Sequence, residues 1–248
     1  MTPVIDAGEK IAATVTSVRN QDSSLFEYHI VDGGSADATL DVVRRHAPGV
    51  DLISEPDAGV YDAVNKGIAR SQGRFVYVLG AGDVLRPGVL ASLAGRLENM
   101  PPNSVVYGNV YWISQKRVYD GVFSKRDLTT HCICHQAMFI DRSVFELVGT
   151  YDLRYPISAD WHFNIRCFSD PRVFVQYVDE VVADYEGGGI SDTGYDHAFQ
   201  SDLPGLIRRS FGIGCLLILW RHRMIRRLLG IRLAVQSRVR RMVEKGSR

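Results

Sequence analysis

The chain has 248 residues, 46% hydrophobic and 23% charged, which argues against disorder and leaves room for one full α/β domain with an appendage. The net charge is only +1, but of the 29 lysines and arginines 12 lie in residues 205–248, beside one (Glu244) of the 28 acids. A body of net −10 with a tail of net +11 speaks against a nucleic-acid binder and directs the tail toward an anionic surface. The four cysteines (Cys132, Cys134, Cys167, Cys215) have no disulfide-framework spacing and no secretory leader opens the chain, so reduced thiols in a cytosolic protein are expected.

In chain order, Thr2-Pro3-Val4 begins a short strand, and Lys10 to Val18 is helical, with Ile11, Val15 and Val18 on one face. Phe26 to Val31 (FEYHIV) reads as a strand running into DGGSADAT. Asp32 stands at its end, Gly33-Gly34 permits a tight turn, and Ser35 can cap the next helix. That helix ends near His46, before Pro48-Gly49, and Val50 to Ser54 is the third strand. SEPDAGVYDAVNKGIARSQG follows: an acidic turn (Glu55, Pro56, Asp57, Gly59), then a helix. Its stripe is Val60, Val64 and Ile68, with Tyr61, Asn65 and Lys66 off it. Gly73 stops the helix, and Arg74 to Leu79 is a buried strand ending in GAGD.

Strands and helices alternating at this spacing predict a mostly parallel, doubly wound sheet. Asp32, Asp57 and Asp83 then fall at or just past strand ends on one rim, where open α/β sheets bind ligands. A carboxylate such as Asp83 there suits a metal-bound phosphate. The G-x-G of GAGDVL is not a dinucleotide fingerprint, because Leu85 stands where the third glycine belongs.

Arg86 to Met100 is a further helix, and Val105 to Trp112 with Arg117 to Phe123 reads as a hairpin or edge pair. In HCICHQAMF, His131, Cys132, Cys134 and His135 lack the usual two-residue zinc gap, so a strand end is expected. Ser143 to Val148 is a short helix. Asp160 opens another that runs through Ile165 and Phe168, where by position alone it is an N-cap. Val173 to Tyr185 is a strand region. In the tail, Phe211 to Trp220 is apolar but too short to cross a bilayer. Leu228, Ile231, Val235, Val239 and Met242 form a stripe beyond it. Arg223, Arg226, Arg227, Arg238, Arg240 and Arg241 lie mostly opposite, and Arg232 interrupts. That pattern fits a helix lying in a membrane interface, or else one packed on its own domain or on a second subunit.

DGGSADAT, SEPDAGVYDAVNKGIA, the strand with GAGD, and CHQAMFIDRSVFE resemble family-2 glycosyltransferases of the GT-A fold, nearest to bacterial exopolysaccharide enzymes of the colanic-acid type. The resemblance covers about residues 2 to 192. It implies an inverting transfer from a nucleotide-diphosphate sugar, with Thr2, Pro3, Asp32 and Asp57 holding base and ribose. Tyr61, Asn65, Lys66 and Gly82 would flank the nucleotide or diphosphate, and Asp83 would hold a divalent cation, Mg²⁺ or Mn²⁺. His135, Gln136 and Trp161 would line the rim for diphosphate or acceptor. Asp160 would be the catalytic base, with His162 a weaker candidate, and GGGIS (Gly187 to Ser191) the loop that closes over donor. Family members usually carry apolar residues ahead of the T-P-V, so a short first strand is expected. The family's D-x-D is reduced here to Ala81-Gly82-Asp83; one carboxylate plus two phosphates can still hold Mg²⁺, which keeps several waters.

The expectation is a glycosyltransferase domain over residues 1–204 and a basic amphipathic tail over 205–248. The protein would sit on the cytoplasmic face of the membrane and extend a lipid-linked or other saccharide acceptor in surface-polysaccharide synthesis. A non-catalytic sugar-nucleotide-binding module, a membrane-associated scaffold and a sugar nucleotidyltransferase are the alternatives. The last would normally carry a Gly-rich basic loop where this chain has TPVIDAGEK.

Overall fold

The computed structural model describes residues 1–119, 121–189 and 194–246, with side chains described up to residue 229. The first half alternates as its apolar periodicity requires. Strands β1 (Thr2–Val4), β2 (His29–Asp32) and β3 (Asp51–Ser54) pair in parallel, and helices α1 (Lys10–Arg19), α2 (Thr39–His46) and α3 (Val60–Arg70) follow them in turn. Val4 pairs with Asp32 and Asp32 with Ser54, so the three carboxyl ends are level.

Strand β4 (Phe75–Tyr77) continues the sheet on the other side of β1. The Met1 amino group donates to the Tyr77 carbonyl (2.8 Å), and Leu79 N–H donates to the Met1 carbonyl (3.0 Å). From β4 onward the sheet is mixed. Its order is β4-β8-β6-β9-β5, built from β5 (Val84–Leu85), β6 (Ser104–Trp112), β8 (Met138–Asp141) and β9 (Phe174–Tyr185), with β7 (Arg117–Tyr119) a hairpin on β6. β8 runs antiparallel to both neighbours, whereas β6 and β9 are parallel. Parallel pairing thus dominates the β1–β3 half only.

Helix α4 (Val89–Glu98) covers one face of the mixed half. On the other face α3, α5 (Arg142–Val148), α6 (Ala159–Ser169) and α7 (His197–Gly246) share the largest apolar cluster, around Tyr107, Tyr151, Phe163 and Phe199. Phe163 is fully buried there, so its truncation to alanine should cost about 3–5 kcal/mol. The stripe expected on α3 is rotated: Tyr61, Ala63, Val64, Gly67 and Ile68 are buried, and Val60 is exposed. The Tyr61 ring stacks on Tyr151 at 5.3 Å, an aromatic body buried with its polar tip hydrogen-bonded.

Helix α7 breaks at Gly212, whose φ of +82° is left-handed. Phe199, Leu203 and Ile207 before the break, and Leu216 and Leu219 after it, belong to the large core. The boundary expected at residue 204 therefore lies inside a helix packed on the body. By length and composition, His197–Leu229 is long and apolar enough to cross a membrane, with an 18-residue window of mean hydropathy 1.3 that is 28% buried. Phe211 to Trp220 is thus part of a longer apolar helix than its ten residues suggested. Arg223, expected opposite the stripe, folds back to donate to the Gln200 carbonyl (2.8 Å). The stripe residues Ile231, Val235, Val239 and Met242, with Arg232, Arg238, Arg240 and Arg241, lie outside the described side chains. Ile190 and Ser191 of GGGIS lie outside the described residues.

Candidate active site

The rim forms where β1 to β3 end. Asp32 is fully buried, and its carboxylate accepts from Gly34 N–H (3.1 Å), Ser35 N–H (3.0 Å), the Ser54 hydroxyl (2.6 Å) and the Ser35 hydroxyl. Burial pushes its pKa up, and those four hydrogen bonds more than offset it, holding the carboxyl below its ordinary range. Asp32 therefore shapes the turn as much as it faces the rim. Asp57 lies against that turn, since a Cβ on Gly33 would stand 2.5 Å from its Oδ2, so only glycine fits. Its Oδ1 accepts from Gly59 N–H (2.9 Å). Lys66 ties the same acidic turn, donating to the Pro56 carbonyl (3.1 Å) and pairing with Glu55 (2.9 Å). Thr2 and Pro3 are buried within β1, Thr2 two residues below the rim with its hydroxyl 3.0 Å from the Tyr28 hydroxyl.

Asp83 is 5% exposed, in the bend between β4 and β5. Its Oδ2 accepts from the Gln136 amide (2.6 Å) and its Oδ1 from the Glu186 N–H (3.0 Å). Burial pushes this carboxyl up and the nearby Glu186 charge adds to that, against the two hydrogen bonds and His135. Gly82 has φ +105°, and a Cβ on it would stand 2.5 Å from Glu186 Oε2, so the Glu186 carboxylate crosses directly over the Ala81-Gly82-Asp83 bend. Gln136 is itself buried. Its carbonyl accepts from the Tyr77 hydroxyl (2.7 Å) and its side-chain oxygen from the Cys134 thiol (2.7 Å).

Asp160 is the second residue of α6, not its cap; Ser158 holds the cap position without a side-chain hydrogen bond. The Asp160 Oδ1 accepts from Trp161 N–H (2.7 Å), and His135 Nδ1 stands 3.8 Å from its Oδ2. His135 therefore stands beside the carboxylate on α6, and the next residue, Gln136, holds Asp83. Trp161 lies on the rear of this corner, donating its indole N–H to the Leu128 carbonyl (2.8 Å) and packing on Phe199. His162 points elsewhere, toward Asp152 and Tyr155, and burial lowers its pKa to about 4.

Two centres result. Asp32, Gly33 and Asp57 form a turn at the carboxyl ends of β2 and β3; Asp83, Gln136, His135 and Asp160 form a polar corner. Tyr61 and Asn65, expected at the nucleotide, give their polar atoms to the backbone of residues 151–157: Tyr61 donates to the Ile157 carbonyl (3.1 Å), and Asn65 exchanges two hydrogen bonds with Tyr151 (2.8 and 3.0 Å). Glu186 was missed because its approach to Gly82 arises from the pairing of Val84 with Asp184, 100 residues apart. Its one legible signal is a carboxylate directly ahead of a glycine run.

Among the described residues, no group of three or more His, Cys, Asp or Glu surrounds one point. The donors available for a divalent cation are the Asp83 and Glu186 carboxylates, hard oxygens suited to Mg²⁺ or Mn²⁺ completed by phosphate and water. A buried carboxylate crowded by a second one is what a cation would relieve. The donor set fits.

Comparison with known proteins identifies the family and the fold. The family described as "Glycosyl transferase family 2" matches residues 1–148. The "PGL/p-HBAD biosynthesis glycosyltransferase" of Mycobacterium tuberculosis is 39% identical over 248 residues, covering 96% of each chain. An "Uncharacterized glycosyltransferase" of the same organism is 34% identical over 161 residues, or 62% of each. In structure the chain is similar to S. aureus TarS 1-349 in complex with UDP-GlcNAc (TM-score 0.68, 15% identity, 88% of this chain and 69% of that one). It is also similar to the mannosyltransferase PcManGT from Pyrobaculum calidifontis in complex with GDP-Man and Mn²⁺ (TM-score 0.59, 16% identity, 89% and 72%).

Proposed function

We propose, from the premise that this chain belongs to glycosyl transferase family 2 and is a glycosyltransferase, that it moves a sugar with inversion from a nucleotide-diphosphate sugar to a membrane-borne acceptor. The observation that carries the reading is the pair of buried carboxylates beside consecutive residues: Asp83 accepts from the Gln136 amide (2.6 Å), and Asp160 Oδ2 stands 3.8 Å from His135 Nδ1.

Inversion is a single displacement, so the acceptor hydroxyl attacks as the nucleoside diphosphate departs. A carboxylate must take the hydroxyl proton as the bond forms, and Asp160 is placed for it. His162 faces Asp152 and Tyr155 instead, which favours Asp160 over it as the base. The Asp32 and Asp57 turn receives base and ribose. His135 and the Gln136 amide face the diphosphate or the acceptor. A divalent cation held by Asp83 beside Glu186 would supply positive charge to the leaving diphosphate.

A membrane-borne acceptor is supported by α7, whose Ile213, Leu217, Trp220, Met224 and Leu228 recur every three or four residues and are exposed. Arginines 221, 226 and 227 accompany them, a composition that binds anionic interfaces. We place the enzyme on the cytoplasmic face, with a lipid-linked saccharide or glycolipid acceptor. The test is incubation with UDP- and GDP-sugars, Mg²⁺ or Mn²⁺ and lipid-linked acceptors. Release of nucleoside diphosphate with a product of inverted anomeric configuration is expected. Retention of configuration would overturn the single displacement, and release of pyrophosphate would return the nucleotidyltransferase reading.

A further inference from the structure

Asp160 is delivered by a segment with no regular structure of its own, Tyr151–Ser158, which strings α5 to α6. A helix start lacking a side-chain cap, as at Ser158, leaves its first N–H groups to be held from outside. Two elements hold this strap. From α3, Asn65 grips both backbone groups of Tyr151, and the Tyr61 ring stacks on that tyrosine. The Tyr61 hydroxyl donates to the Ile157 carbonyl at 3.1 Å.

From the other side comes Asp196, at the start of α7 and 5% exposed. Its Oδ2 accepts from Ile157 N–H (3.1 Å) and Ser158 N–H (3.0 Å), and its Oδ1 accepts from Phe199 N–H (3.0 Å), capping α7. Tyr155 on the strap donates to Asp202 (2.7 Å), nearly two turns further along α7. Both backbone groups of Ile157, three residues before Asp160, are therefore fixed by different helices: the carbonyl by Tyr61, the N–H by Asp196.

We propose that Tyr61 and Asp196 are positioning residues for the base Asp160, and that α3 and α7 together set where its carboxylate stands. This rests on the reading of Asp160 as base. The resemblance implied that Tyr61 flanks the nucleotide or diphosphate; its hydroxyl is bonded to the Ile157 carbonyl of the strap. Positioning matters at this scale, because small displacements of a reacting group cost one to two orders of magnitude in rate.

The experiment is a double-mutant cycle on the full chain, with turnover read as nucleoside diphosphate released from the UDP- or GDP-sugar the enzyme uses. Tyr61→Phe removes one hydroxyl and keeps the stacked ring; Asp196→Asn keeps shape and removes charge. Each should lower kcat about tenfold while leaving donor KM unchanged. Asp160→Asn should lower kcat about a hundredfold or more. Added to Asp160→Asn, neither substitution should cost anything further, because a residue that acts through the base has nothing left to position. Parental kcat in both single variants would overturn the proposal. So would a full further tenfold loss on the Asp160→Asn background, which means general destabilisation, or a loss confined to donor KM, which returns Tyr61 to the nucleotide. Parental turnover in Asp160→Asn itself is a separate result: it removes the base reading, and the positioning role with it.

Discussion

The N–H of Glu186 lies 3.0 Å from Asp83 Oδ1, joining the end of the last strand to a bend 103 residues earlier. With the Glu186 carboxylate over Gly82, this contact gives a reduced acidic motif a second carboxylate from a distant part of the chain. The Asp83→Ala variant should lose transfer and also lose binding of Mn²⁺ measured with UDP or GDP present. Near-parental turnover, or full activity in EDTA, would show that Asp83 is no cation ligand.

Gly82→Ala should be among the most damaging single-methyl changes in the protein. The new Cβ would meet Glu186 Oε2 at 2.5 Å, at a φ of +105° that L-residues rarely adopt. Backbone strain of this kind costs about 1–3 kcal/mol. Gly95→Ala, where the Cβ meets open space in a helix, is the control and should stabilise slightly. Equal melting temperatures for the two variants would mean that Glu186 does not lie over Gly82.

Acid should weaken the fold through His162. Its folded pKa is lowered to about 4 by burial and by Arg166, from an ordinary 6.5, while Asp152 and Asp202 oppose the shift. Between pH 6.5 and 4 the unfolded chain binds the extra proton, so stability rises with pH across that window and is lost as pH falls through it. The full effect is at most about 3 kcal/mol. Urea melts at pH 7 and pH 4.5 on the parent and on His162→Phe would check it, the variant showing the shallower pH slope. Parallel slopes would place the acid sensitivity elsewhere.

Anionic vesicles should retain the protein at low salt, with each basic residue near the surface contributing about 1 kcal/mol. Raising the salt should weaken that binding without abolishing it, because the exposed apolar stripe of α7 is not screened. A truncation at Pro204 is the wrong control, since it removes Ile207, Leu216 and Leu219 from the core. Leu217→Ser combined with Leu228→Ser leaves those core residues in place and should release the protein from vesicles in a co-sedimentation assay. If parent and variant both stay in the supernatant, α7 covers another protein surface instead.

The alternation from β1 to β4 was readable because each element there declares itself locally. Asp32 ends an apolar run, two glycines turn the chain, and Gly73 and Pro48-Gly49 stop the helices. The same logic placed Asp57 and Asp83 on the carboxyl-end side correctly. It failed for α3, where spacing favoured Val60 over Tyr61, because the partner that buries Tyr61 is Tyr151, 90 residues away. The insertion of β8 between β4 and β6, the reach of Glu186 and the grip of Asp196 on Ile157 all depend on such distant pairings. Asp160 read as a cap for a related reason: position in a helix is local, but which side chain satisfies the helix start is not.

Strand β9 lies between β6 and β5, although β5 precedes it by about 90 residues. During synthesis the emerging chain can therefore complete its first βαβ units early, from neighbours in sequence. The polar corner has no such option. Until residue 186 has left the ribosome, β5 has no partner strand and Asp83 lacks its backbone donor; until residue 196 follows, Ile157 is held from one side only. A nascent chain arrested at residue 150 would have β1 to β4 in place while Asp83 still lacked its Glu186 donor. Catalytic competence is the last thing this chain acquires.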